Sequence, residues 1–173
     1  MAESPFTQTA APSALDYATI AKSNPQIISG AQWFWWIVGL SCVNTLVQHS
    51  GGSVNFVIGL GFTQVADAIF REAKPIAFAI DALALGFFFA MGWYATKGRQ
   101  WAFITGLVFY SLDALIYVAV QDWMSAAFHG LALYFIIRAT KLLRAAIQEA
   151  RTAAAAPATP VPPPVPEPPV LNN

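Results

Sequence analysis

Two carboxylates and one imidazole stand where hydrocarbon is expected. Asp81 interrupts "FAIDALALGFFFA", Asp113 interrupts "FYSLDALIYVAV", and His129 follows in "SAAFHGLALYF". A charged group at mid-membrane costs about 2.5 to 3.5 kcal/mol on the insertion scale. Each Leu, Ile, Phe or Val returns roughly 0.3 to 0.6 kcal/mol. Ile76, Phe78, Ile80, Leu83, Leu85, Phe87, Phe88 and Phe89 offset one aspartate with little margin. Insertion therefore tolerates Asp81 without explaining it.

The neighbours of these groups are polar at helical spacing. Ser41, Asn44 and Gln48 follow i, i+3, i+7; Tyr110 and Tyr117 flank Asp113 at i−3 and i+4; Ser125 and His129 are i, i+4. These periods place each set on one helix face. The candidate cluster is therefore Asp81, Asp113, His129, Asn44, Gln48, Tyr110 and Tyr117. Two carboxylates and a histidine could share or relay a proton, or bind a divalent metal, with His49 near enough to join. The blander alternative is protonated, hydrogen-bonding glue between helices. No Cys-based or HExxH ligand spacing occurs, and no nucleophile–base pair is legible, which argues against an enzyme. These residues do not identify a cofactor. Near Asn55, "GLG" has no following GK[ST] and is not a phosphate loop.

Long apolar elements must position this cluster. Hydrophobic residues make up 57% of the 173-residue chain and charged residues 10%, with a mean hydropathy of +0.53. Soluble domains carry about 25% charged residues. The expectation is an all-α integral membrane protein. Four unbroken blocks, 31–49, 75–96, 101–121 and 123–143, suit transmembrane helices, each of which needs about 20 residues. A fifth segment, 55–71, repeats Asn55, Gly59, Thr63, Asp67 and Arg71 every four residues with Gln64 beside them. Its one polar stripe favours an interfacial or re-entrant helix over a fifth span. Asp67 and Arg71 are spaced for an i,i+4 ion pair. Ala82, Gly86 and Ala90 form a small-residue row suited to close packing within the bundle.

The flanks read differently. Residues 1–29 form a polar segment without a signal-peptide pattern. Within it "SALDYATIAK" suggests a short surface helix capped at Ser13 with Asp16 as acidic partner. The bundle occupies 30–144, and 145–173 reads as an Ala/Pro-rich disordered tail holding "TPVPPPVPEPP". Cys42, the single cysteine, can form no internal disulfide and reads as a small core residue.

Basic residues set the orientation. Lys97 and Arg99 lie in the turn "TKGRQ", and Arg138, Lys141, Arg144 and Arg151 lie on the last helix, two spans apart. Both groups then face the cytoplasm, as does the C-terminus, in a multi-pass protein of the cell membrane. "REAK", 71–74, runs against that assignment. On it, Asn44, Asp81, Asp113 and His129 lie roughly 8 to 12 Å below the outer ends of their helices, in one layer of the outer leaflet. Zero formal net charge gives no support to a nucleic-acid partner. The expected partners are the lipid bilayer and either other membrane subunits or a second copy. The functional expectation is a buried polar cluster that binds or moves a proton, metal ion or small solute; the alternative is a non-catalytic accessory or scaffold subunit.

Overall fold

The computed structural model describes residues 15–50 and 59–156, excepting the side chains of Gln48 and His49. Helix α1, Tyr17–Lys22, begins at Asp16, whose carboxylate accepts the N–H groups of Ala18 (3.0 Å) and Thr19 (3.3 Å) and the Thr19 hydroxyl (2.6 Å). Asp16, expected as the partner of a cap, is the cap itself; Ser13 lies outside the described residues. Asn24 then accepts the N–H of Gln26 at 2.9 Å and starts α2, Pro25–His49. The helix begins six residues before the apolar block at 31 because Pro25 suits a first helical turn whatever its hydropathy.

Helix α3, Gly61–Ile69, has nine residues. At 1.5 Å per residue it is about 13 Å long, too short to cross a hydrocarbon core of about 30 Å. Asn55, the start of its expected stripe, lies outside the described residues. Thr63 is buried and Gln64 half-buried, whereas Phe62, Val65 and Ile69 are exposed. The polar stripe faces protein and the apolar face looks outward. Among the described residues Asp67 and Arg71 make no ion pair; Arg71 lies past the last helical residue, off the helix surface that would align the pair.

The long helices are α4 (Lys74–Thr96), α5 (Gln100–Ala119) and α6 (Trp123–Ala155). No strand occurs among the described residues. Of these, α4 and α5 are long and apolar enough to cross a membrane; α2 and α6 are long enough, but polar residues dilute them. Helix α5 stops at Ala119 because Gln121 takes φ 59°, a left-handed conformation that no helix continues through. Asp122 restarts the chain, accepting the N–H (3.2 Å) and hydroxyl (2.6 Å) of Ser125. Helix α6 runs to Ala155, so 145–155 is helix rather than disordered tail. The reason is legible afterwards: "RAAIQEARTAAA" is rich in helix formers, and Leu143 and Ile147 are buried one turn apart. The proline-rich remainder from 157 lies outside the described residues.

Contacts fix an up-down-up-down bundle in which α2 neighbours α4 and α6, and α5 neighbours α4 and α6. Trp35 meets Phe89 at 4.6 Å, Phe87 meets Phe109 at 4.8 Å, and Trp33 stacks on Phe135 at 5.2 Å. Phe34, fully buried, fits where Gly92 and Gly106 leave room, since a Cβ at either would press on its side chain. Of the expected small-residue row, only Ala90 packs against the core. Ala82 and Gly86 are exposed, and a Cβ at Gly86 would meet open space. Cys42 is also exposed, not core.

The buried interior divides along the bundle. One end holds Ala21, Ile27, Ala31, Ala95, Ala102, Ala139 and Leu143; the other holds Ser41, Asn44, Thr45, Thr63, Asp81, Asp113, Ser125 and His129. Around this polar end Leu83, Ile69, Val120 and Leu46 are exposed, as are the charged Arg71, Glu72, Lys74 and Asp122 at its tip.

Candidate functional site

The polar end is organised around the N-terminus of α3. A helix leaves its first N–H groups without intrahelical partners and carries a partial positive charge there. Three consecutive N–H groups at this terminus are taken by side chains from other helices. Ser41 Oγ accepts from Leu60 at 2.9 Å, Asp113 Oδ2 from Gly61 at 3.0 Å, and Asp113 Oδ1 from Phe62 at 2.8 Å. A helix N-terminus is a natural site for an acidic group, and here the group is the protein's own Asp113 carboxyl, delivered from α5. Gly61 permits the approach: a Cβ there would meet the Tyr117 ring at 2.8 Å.

Asp113 has a third partner. His129 Nε2 lies 3.1 Å from Oδ2, with His129 fully buried and Asp113 nearly so. The other ring nitrogen, Nδ1, lies 2.8 Å from the backbone carbonyl of Ser125. A carbonyl only accepts, so Nδ1 carries a hydrogen. With a single proton on the Nε2–Oδ2 contact, two arrangements are open: imidazolium against carboxylate, or neutral imidazole against carboxylic acid. In both, one proton lies between the two residues and the pair is neutral overall. Tyr110 stacks on the imidazole (4.6 Å, 17°), and the Tyr117 ring also lies 4.6 Å from it.

Tyr117 ties the same region to α3 a second time. Its hydroxyl donates to the carbonyl of Gly59 at 3.0 Å and accepts from Gln64 Nε2 at 2.9 Å. Tyr110 is fully buried, and its hydroxyl has no hydrogen-bond partner among the described residues.

The remaining expected residues divide. Asp81, fully buried on α4, accepts the Thr45 hydroxyl at 3.0 Å from α2. Asn44 is buried against Gly59, where a Cβ would run into its amide. Gln48 lies on α2, with its side chain outside the described residues, as is that of His49. The structure joins Asp113, His129, Tyr110 and Tyr117 in one contact network. It does not make Asp81 and Asp113 a hydrogen-bonded pair: the bonds of Asp113 go to Gly61, Phe62 and His129.

Thr45 and the backbone of residues 60–62 were not anticipated. Thr45 was accessible, since it stands at i+4 from Ser41 on the same polar face. The backbone donors had no signal, because every residue but proline has one. No protein-family model, no curated protein and no solved structure matches this chain. The site is accordingly read from its own geometry.

Proposed function

We propose that the chain is a multi-pass cell-membrane protein in which α2, α4, α5 and α6 cross the bilayer and α3 re-enters it. Its Asp113–His129 pair is then a proton-binding site that governs the seating of α3. The carrying observation is the contact network itself: one carboxyl group accepts two N–H groups at the N-terminus of α3 and lies 3.1 Å from His129 Nε2. Support for the bilayer comes from the exposed apolar surface around a buried polar end, and from two helices apolar and long enough to span. Seven of the nine Lys and Arg residues lie at the apolar-cored end, which orients that end and the C-terminus toward the cytoplasm.

Of the three species weighed, the proton is the one proposed, because Asp113 and His129, 3.1 Å apart, suffice to hold it. A second proton on the pair yields a carboxylic acid beside an imidazolium. The acid still accepts hydrogen bonds, but it no longer places a negative charge at the α3 dipole or against the imidazolium. Hydrogen exchange at the Gly61 and Phe62 amides, corrected for intrinsic rates, tests this in reconstituted protein. Protection should fall on acidification in the native protein and lose that dependence in Asp113→Asn. Protection that is constant across the titration refutes the reading.

A second reading, an accessory or scaffold subunit, is favoured by the outward-facing Ala82 and Gly86, which offer a partner helix a close approach. Stable co-purifying proteins lost on Gly86→Leu would select it.

A further inference from the structure

At the basic end, a cavity of about 680 Å³ opens where α1, α2, α4 and the α4–α5 turn meet. Three cations line it: Lys22 from α1, and Lys97 and Arg99 from the turn. Leu15, Ile28 and Trp93 supply an apolar wall. One acid, Asp16, is also present, but its oxygens are occupied by the N–H groups and hydroxyl at the start of α1. Among the described residues none of the three cations makes an ion pair. Two lie against rings instead: Lys97 Nζ is 4.7 Å from the Trp93 centroid, and the Arg99 guanidinium carbon is 5.7 Å from that of Tyr17.

We infer that this cavity is a binding site for the phosphate headgroup of an anionic phospholipid of the cytoplasmic leaflet. The chemistry is that of a phosphate: three cations that make no ion pair among the described residues line one space against the single charge of Asp16, which Lys22 feels, and Arg99 brings a planar fork suited to phosphate oxygens. The shape is that of a lipid. The apolar wall ends at Trp93, and Phe89, one turn further toward the middle of the bundle, is exposed on the same helix. A headgroup among the cations sends its acyl chain down that aromatic track, which a free phosphate has no use for. The cavity is also held open by the fold. Gly98, at φ 70°, lies directly under the Tyr17 carbonyl, so the turn and α1 are fixed against each other.

This site rests on the membrane reading, and the experiment separates the two. Protein is incorporated into phosphatidylcholine nanodiscs, dioleoyl phosphatidylglycerol is titrated in, and bound lipid is counted by native mass spectrometry. Each cation near an anionic surface contributes about fivefold, so Lys22→Gln/Lys97→Gln/Arg99→Gln together should weaken retention roughly a hundredfold. The charge-keeping Lys22→Arg/Lys97→Arg variant should retain the lipid, as should Lys141→Gln/Arg144→Gln, whose positions do not line the cavity. Glycerol phosphate, which lacks chains, should not compete. Unchanged retention by the triple Gln variant overturns the site, as does full competition by glycerol phosphate. Failure to enter the phosphatidylcholine bilayer overturns the membrane reading and this site with it.

Discussion

Replacing Asp113 is the most direct challenge to the network at the polar end. The carboxylate accepts two backbone N–H groups at 3.0 and 2.8 Å and faces His129 at 3.1 Å. Hydrogen bonds to charged groups contribute about 1.5 to 3 kcal/mol each, but their sum overstates the effect because the carboxylate is also desolvated. Breaking a buried pair by removing one partner costs about 3 to 5 kcal/mol. Asp113→Leu removes the acceptor for two N–H groups and the partner of His129, so a loss of about 4 kcal/mol is expected. Asp113→Asn keeps one acceptor oxygen for α3 and offers its amide to a neutral imidazole. Its loss should resemble that of a weakened helix cap, about 1 to 2 kcal/mol. Equilibrium unfolding in mixed micelles measures both, and a cycle with His129→Gln should give a coupling of at least about 1 kcal/mol. If Leu and Asn both unfold within about 0.5 kcal/mol of the native protein, as surface substitutions do, the network holds nothing together and the argument fails.

Three other expectations are independent of the pair. Gln121→Val should lower the thermal midpoint, and Gln121→Gly should raise it slightly, because a left-handed residue with a Cβ carries about 1 to 2 kcal/mol of strain. Gly98→Ala should cost at least as much and loosen α1, seen as faster proteolysis near Lys22, since its Cβ would strike the Tyr17 carbonyl. At Asp122, the Ser125 hydroxyl hydrogen bond foremost, with the Ser125 N–H, holds the carboxyl below its ordinary range. Its cap on α6 is therefore fully present above the ordinary carboxylate pKa of about 3.9 and is lost as pH falls through the lower native value. Helical content followed by circular dichroism should show a small acid-side loss that Asp122→Asn abolishes; an unchanged acid limb in that variant contradicts the assignment.

The sequence by itself determined the helical class, the places of the four long helices, and the face on which most candidate polar residues lie. Hydropathy blocks and the 3.6-residue period are local properties, and they carry that information. They misplaced the end of α6, because hydropathy stops at Leu143 whereas alanine-rich helix propensity and the buried Ile147 continue to Ala155. They also turned Ala82 and Gly86 inward, since small residues in a row signal a close approach without naming the side from which it comes. Only the tertiary structure decided the partners. Asp81 and Asp113 look alike in sequence, yet Asp81 receives a hydroxyl from Thr45 while Asp113 holds the first turn of a nine-residue helix. Those donors are backbone N–H groups, which no side-chain pattern reports, and they meet the carboxylate because α3 folds back against α5. The fixed rotation of α5 and α6 likewise brings Tyr110, Asp113 and Tyr117 onto His129.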